Sequence, residues 1–172
     1  MKYKGLILLI VMLVSLAALL LSGPGGKKYD EIAAVGKPAP ALELRDERGS
    51  PWKLSDLKGK VVFLNFWATW CTTCKAEAPY KEALSRKMQG KPFQMLGVLF
   101  RDDPANLSSY YRMQPFSFPT LISPENEAAK LFGITGVPET FIIDKNGVVR
   151  EKFVGPREWS SAENIAMLEK YL

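Results

Sequence analysis

The chain has no histidine and only two cysteines among its 172 residues. Zinc usually takes four protein ligands in a structural site and three in a catalytic one, so its usual Cys/His sets cannot be completed within this chain. Covalent haem attachment through C-x-x-C-H is excluded as well, because Lys75 follows the second cysteine. A copper carrier that relies on histidine has no residue to use. Basic clusters are also missing. The formal charge of +5 falls to +3 once Lys2 and Lys4 of the N-terminal tail are set aside, and that spread-out balance makes no case for nucleic acid. Apolar residues at 47% and charged residues at 24% are ordinary for a globular chain, and the length suits one domain with a short appendage.

What the chain does have is concentrated between Val61 and Pro79, VVFLNFWATWCTTCKAEAP. Val61 to Phe66 is β-branched, aromatic and aliphatic apart from Asn65, which suits a strand buried on both faces. A helix-favouring segment follows the cysteines, with an apolar stripe expected at Ala76, Tyr80, Ala83, Leu84 and Met88. Strand, tight turn and helix place Cys71 at the helix N-terminus, where unpaired N–H groups and the macrodipole favour a thiolate. Cys74 lies three residues on, within reach of a disulfide. Such a pair can exchange two electrons with a partner, Cys71 attacking and Cys74 resolving the mixed disulfide. A purely structural bridge across so short a loop would constrain little of the unfolded chain. The pair reads as a redox site.

The N-terminus lacks charge from Gly5 to Gly26, and Leu6 to Leu21 is almost wholly aliphatic. As a helix, Gly5 to Ser22 would span about 27 Å, near the thickness of a bilayer's hydrocarbon core. The competing reading is a cleaved signal peptide. Its one small-x-small site, Ser15-Leu16-Ala17, would leave a greasy stub, so the expectation is an uncleaved anchor over residues 1–22. Residues 23–35 open with Gly-Pro-Gly-Gly-Lys-Lys and read as a linker, and residues 36–172 as the folded domain. Lysines flank the span on both sides, so positive-inside counting does not orient it. A tethered thiol pair is more useful on the oxidising side, outside the cytoplasm.

Within the domain, Leu42–Leu44 and Trp52–Leu54 alternate around a polar turn as a hairpin does. The helix after the cysteines should run to about Gln89, with Pro79 kinking it rather than ending it. Phe93 to Phe100 should form a second strand, parallel to the first through a right-handed crossover. Further elements are expected as a helix opening at Arg101–Pro104, a strand at Phe118–Ile122 and a helix at Glu125–Phe132 ended by Gly133. A hairpin turned at Asn146-Gly147 comes next, then a last helix capped by Ser160 and Glu163. The whole is an α/β chain: a mixed sheet with helices on both faces.

W-C-x-x-C with Pro79 and with Val137-Pro138 just before a strand resembles the thioredoxin fold. More narrowly, Gly36 to Leu172 resembles the membrane-tethered ResA/TlpA/CcmG family of extracytoplasmic thiol-disulfide oxidoreductases. The match runs from G-K-P-A-P through L-K-G-K-V-V-F-L-N-F-W-A-T-W-C to G-V-P-E-T-F, the last closest to the CcmG branch. The resemblance implies Cys71 as nucleophile, Cys74 as resolving thiol and the Cys71–Cys74 disulfide as the redox centre, with no added cofactor. It implies a cis Pro138 facing the disulfide, with Trp70, the Val137 backbone and Pro138 meeting a bound peptide. Glu77 and Glu139 match positions the family keeps near its site and are candidates to relay a proton for Cys74; the bland alternative for each is a solvated surface charge. Asn65 stands where cytoplasmic thioredoxins carry a buried Asp. Thr72-Thr73 departs from relatives that have Pro at one of these positions, so neither potential nor direction carries over. The implied activity is reduction of apocytochrome c disulfides before haem attachment, with electrons from a membrane thiol-disulfide transporter. A general disulfide reductase or isomerase is the first rival, and a non-catalytic peptide-binding holdase is the rival from another class. The peroxidase pattern P-x-x-x-T-x-x-C is absent.

Overall fold

The structure, a computed structural model, describes residues 3, 4, 9, 11–15 and 32–172. Most of the expected anchor and most of the expected linker lie outside the described residues. Among the described residues no helix is long and apolar enough to cross a membrane. The redox pair belongs to the compact unit Glu31–Leu172. Packed chain begins ahead of Gly36, where the sequence places the boundary. Ala33 is buried, and its N–H donates to Leu131 O at 3.1 Å.

Among the described residues, seven strands form one mixed sheet: β1 (Glu43–Asp46), β2 (Pro51–Lys53), β3 (Val61–Trp67), β4 (Phe93–Leu99), β5 (Thr120–Ile122), β6 (Glu139–Ile143) and β7 (Val149–Val154). Their order is β2-β1-β5-β4-β3-β6-β7. β3, β4 and β5 are parallel, and the hairpins β1–β2 and β6–β7 close the two edges with antiparallel pairs. Among residues 32–172, four α-helices cover the sheet: α1 (Thr72–Lys87), α2 (Asn106–Met113), α3 (Glu127–Phe132) and α4 (Ala162–Glu169). This is the thioredoxin-like α/β architecture, with an N-terminal hairpin added to it.

β3 is buried at every residue, and alternation along it sorts the two halves of the core. Val62, Leu64 and Phe66 join Phe132 of α3 and Phe141 of β6 on one side. Val61 and Phe63 join Leu84 of α1, Met88 just past its end, Trp159, and Ile165 and Leu168 of α4 on the other. Trp67 packs with Cys71, Cys74, Leu107 and Tyr110 in a third cluster beneath the redox pair. Asn65 shares the face of Phe63 and Trp67, so it points toward α1.

Several expected boundaries move, each for a local reason. α2 starts at Asn106 rather than at Arg101–Pro104, because Arg101 takes a left-handed backbone (φ 45°) that no helix continues. β5 starts at Thr120, after Pro119, which has no N–H for the ladder. α3 is preceded by left-handed Glu125 and Asn126 and is shorter than expected. The last helix is capped by Ser161, whose Oγ accepts from Asn164 N, and not by Ser160 with Glu163. Ser161 holds the extended backbone that an N-cap requires.

The largest correction is the face of α1. Its buried residues are Cys74, Glu77, Ala78, Lys81 and Leu84, while Ala76, Tyr80 and Ala83 are exposed. Two charged side chains, Glu77 and Lys81, therefore lie on the buried face although the expected apolar stripe leaves them out. Their hydrogen-bonding partners come from β3 and from the loop before α4.

Candidate active site

Cys71 is the N-cap residue of α1 and is disulfide-bonded to Cys74 across a Cα–Cα distance of 5.2 Å. Its Sγ accepts the Cys74 N–H at 3.1 Å, and the Thr73 hydroxyl approaches to 3.4 Å. These donors, added to the N-terminal end of the helix dipole, would stabilise a thiolate once the bond is reduced. Cys71 is slightly exposed and Cys74 fully buried, so a partner can reach only the first sulfur.

The Val137–Pro138 peptide is cis. The Val137 carbonyl oxygen lies 3.5 Å from Cys71 Sγ, which places the start of β6 directly against the disulfide. Trp70 is 56% exposed beside it, with its indole N–H donating to Arg101 O at 3.1 Å. The left-handed Arg101 turns that carbonyl toward the indole, and its own N–H donates to Asn126 Oδ1 at 2.7 Å. Asp102 braces the loop before the cysteines by accepting the Thr69 N–H at 2.6 Å. Burial pushes the Asp102 carboxyl up, but hydrogen bonds from Asn106 and Thr69 outweigh it and hold the group below the usual range.

Pro79 sits inside α1 without breaking it. Because proline has no N–H, the Lys75 carbonyl one turn earlier lacks its helical partner. Gln114 at the end of α2 offers its side-chain amide to that oxygen at 3.5 Å.

Both carboxylates are buried, so neither is a solvated surface charge. Glu139 Oε2 lies 3.1 Å from Lys152 Nζ as an ion pair outside hydrogen-bond geometry, and Oε1 accepts weakly from Thr135 N at 3.4 Å. Glu77 stands one helical turn after Cys74. The Trp159 indole N–H donates to its Oε1, while Oε2 has no hydrogen bond. Burial drives the Glu77 carboxyl above its usual range, opposed by the Lys81 charge and the Trp159 hydrogen bond.

Behind Glu77 runs a buried chain of polar groups that the sequence did not disclose. Lys81 Nζ lies 4.0 Å from Glu77 Oε2 and donates to Asn65 Oδ1 at 2.6 Å. Asn65 Nδ2 in turn donates to Thr140 Oγ1 at 2.8 Å, across the β3–β6 register. Lys81 repeats the phase of Cys74 and Glu77 along the helix, and that spacing was the available signal. Nothing in the sequence pointed to Trp159 or Asp102. Among the described residues no group of His, Cys, Asp and Glu could hold a metal ion.

Comparison with known proteins agrees with this geometry. Residues 34–169 match the redoxin domain family. The thiol-disulfide oxidoreductase ResA of Geobacillus thermodenitrificans is 36% identical over 122 residues, covering 71% of this chain and 70% of its own. The thiol:disulfide interchange protein DsbE of Escherichia coli K12 is 35% identical over 185 aligned positions, covering 99% of this chain and 97% of its own. Among solved structures, a thioredoxin-family thiol:disulfide interchange protein from Chlorobium tepidum TLS superposes with a TM-score of 0.69 at 29% identity. It covers 80% of this chain and 97% of that one. With its C-x-x-C pair closed at the N-cap of α1, the chain belongs to the redoxin family, as a thiol-disulfide oxidoreductase of the ResA and DsbE kind.

Proposed function

We propose that the protein is a dithiol reductant outside the cytoplasm, tethered through residues 6–21, that reduces apocytochrome c disulfides so that haem can be attached. The observation that carries the chemical part is the N-cap position of Cys71, with Cys74 N–H on its sulfur and the Val137 carbonyl 3.5 Å away. Cys71 attacks the partner's disulfide, and the partner peptide lies extended along Val137 and Pro138 with Trp70 at its flank. Cys74 then resolves the mixed disulfide, and Glu77 and Glu139 are the groups that manage its proton. The Cys71–Cys74 disulfide is the only redox group required, and a membrane thiol-disulfide transporter would return it to the dithiol. The family's cytochrome maturation branch supports the choice of substrate through the G-V-P-E-T-F segment.

The test is trapping. A Cys74→Ser protein in its own host should accumulate mixed disulfides through Cys71, because exchange with outside thiols is much slower than attack from three residues away. Cys71→Ser should accumulate none. A trapped peptide carrying C-x-x-C-H supports the cytochrome reading, and a scatter of unrelated secreted proteins would replace it with a general reductase. No trapped species, from a wild type whose dithiol is intact, would favour a peptide-binding holdase.

A further inference from the structure

We propose that Lys81 is a positioning residue for the thiol chemistry: its buried ammonium holds Glu77 as a carboxylate, so that Glu77 can accept the Cys74 proton in the resolving step. The inference rests on Glu77 being the base assigned above. It deepens that reading by naming what keeps a fully enclosed carboxyl ionised.

The geometry is specific. Both side chains are fully buried, and Nζ stands 4.0 Å from Oε2, the carboxylate oxygen with no hydrogen bond of its own. The other oxygen is occupied by Trp159, so Oε2 is the one open to a proton. Nζ is fixed from the far side by Asn65 Oδ1 at 2.6 Å and lies 5.7 Å and 5.5 Å from the ring centres of Trp67 and Phe116. Trp67 shares its buried cluster with both cysteines.

Each element packed around the pair contributes a group. β3 offers Asn65 and β6 offers Thr140, both uncharged, with the Glu139 carboxylate next in the chain and paired to Lys152. α2 offers Tyr110, protonated because burial pushes it up to about 12. The loop before α4 offers Trp159 and the Arg157 backbone, and α1 itself offers the dithiol. Among the described residues the only charge acting on Glu77 is Lys81, and the only one acting on Lys81 is Glu77. Without Lys81, burial would push the Glu77 carboxyl further up, opposed only by the Trp159 and Arg157 hydrogen bonds, and so leave less of it ionised to act as a base. An apolar residue of equal length would fill the same space with a smaller desolvation cost, so packing does not account for a lysine there.

Protons and electrons balance across two steps. The Cys71 thiolate attacks one sulfur of the partner's disulfide, and the displaced partner thiolate takes up a proton. Cys74–SH passes its proton to Glu77, and the resulting thiolate attacks Cys71 Sγ. The Cys71–Cys74 bond forms as the Cys71–partner bond breaks, and the second partner thiolate is protonated as Glu77 ionises again. Two electrons pass from the protein dithiol to the partner disulfide.

The experiment reacts the full-length reduced protein with dithiobis(nitrobenzoate), which releases one thionitrobenzoate on attack by Cys71 and a second on resolution by Cys74. Lys81→Met should leave the first phase unchanged and slow the second about tenfold near neutral pH, equivalent to a shift of about one unit in the pH profile. Glu77→Gln should slow the second phase similarly, and adding Lys81→Met to it should change nothing further. A normal second phase in Lys81→Met beside a slow one in Glu77→Gln overturns the role of Lys81 and leaves Glu77 standing. A normal second phase in Glu77→Gln overturns the base assignment itself. Should Lys81→Met fail to fold, the wild type still decides. The Glu77 13Cδ signal must be that of a carboxylate near neutral pH and must respond to the titration of Lys81 near pH 8; a protonated Glu77 there overturns the inference.

Discussion

Glu77 and Glu139 entered as two acidic residues near a dithiol, and their surroundings now separate them. Glu139 faces a half-exposed lysine, Lys152, at 3.1 Å, whereas Glu77 faces a fully enclosed one at 4.0 Å. If Glu139 serves the thiols, Glu139→Gln shifts the pH dependence of alkylation of the reduced pair, since the exchange removes charge with little change in shape. An unchanged profile would make the Glu139–Lys152 pair a support for β6 and β7 only. Trp159→Phe removes the hydrogen bond on Glu77 Oε1 and keeps most of the ring's packing against Phe63 and Phe153. We expect a loss of about 1–3 kcal/mol, read by urea unfolding, because a buried carboxylate loses its donor. The second thionitrobenzoate phase, the resolution by Cys74, should slow with it.

At the scale of elements, the redox pair is held by the close seating of β4 against β3. Gly97 pairs with Asn65, and a Cβ there would stand 2.7 Å from Trp67 Nε1 and 3.0 Å from Thr120 Oγ1. Neither atom can withdraw easily, since Trp67 is locked against Tyr110 and Phe116 and Thr120 is held by the Tyr111 hydroxyl at 2.7 Å. Gly97→Ala should therefore cost about 1–3 kcal/mol of stability through overpacking. Because the displaced ring belongs to the buried cluster that holds Cys71 and Cys74, the rate of disulfide exchange should change as well. Full stability in that variant would show that the layer under the disulfide yields more readily than its packing implies. The other end of the domain offers a smaller test: Ser161→Ala removes the cap of α4 at a cost of about 1 kcal/mol.

At the scale of the molecule, the enclosed lysine gives stability an unusual pH dependence. Burial lowers Lys81 from 10.5 to about 8, with Glu77 opposing the shift. Between those values the unfolded chain holds a proton that the native state lacks, so raising the pH favours folding. Glu77 works in the opposite sense at lower pH. Its native carboxyl keeps a proton that the unfolded one has lost, so its contribution falls as the pH rises through its native value. Above about pH 10 the unfolded tyrosines ionise while Tyr110 and Tyr111 stay protonated in the fold, and stability should turn down again. Urea midpoints should thus rise from about pH 8 toward 10, and Lys81→Met should abolish the rise. Topology is open to an equally direct measurement. An uncleaved anchor predicts that the membrane-bound protein begins ahead of Ala17, and a mature N-terminus anywhere after it would reject the tether.

Much of this molecule was determined by sequence alone, because its signals are local. The β3 run, apolar except for Asn65, the cysteine spacing, the Asn146-Gly147 turn and the Val137-Pro138 step each depend on a few adjacent residues, and each appears where the sequence places it. The phase of α1 was different. The sequence suggests an inner stripe through Ala76, Tyr80 and Ala83 that leaves out Glu77 and Lys81, since charged residues usually stay outside. Only the tertiary structure reverses it, by bringing Asn65 from β3 and Trp159 from the loop before α4 against the same helix. Asn65 and Trp159 lie far apart in the chain, and no local pattern relates them. Burying a charge is tolerable only where distant groups supply its hydrogen bonds, and those partners exist only once the sheet and helices have packed.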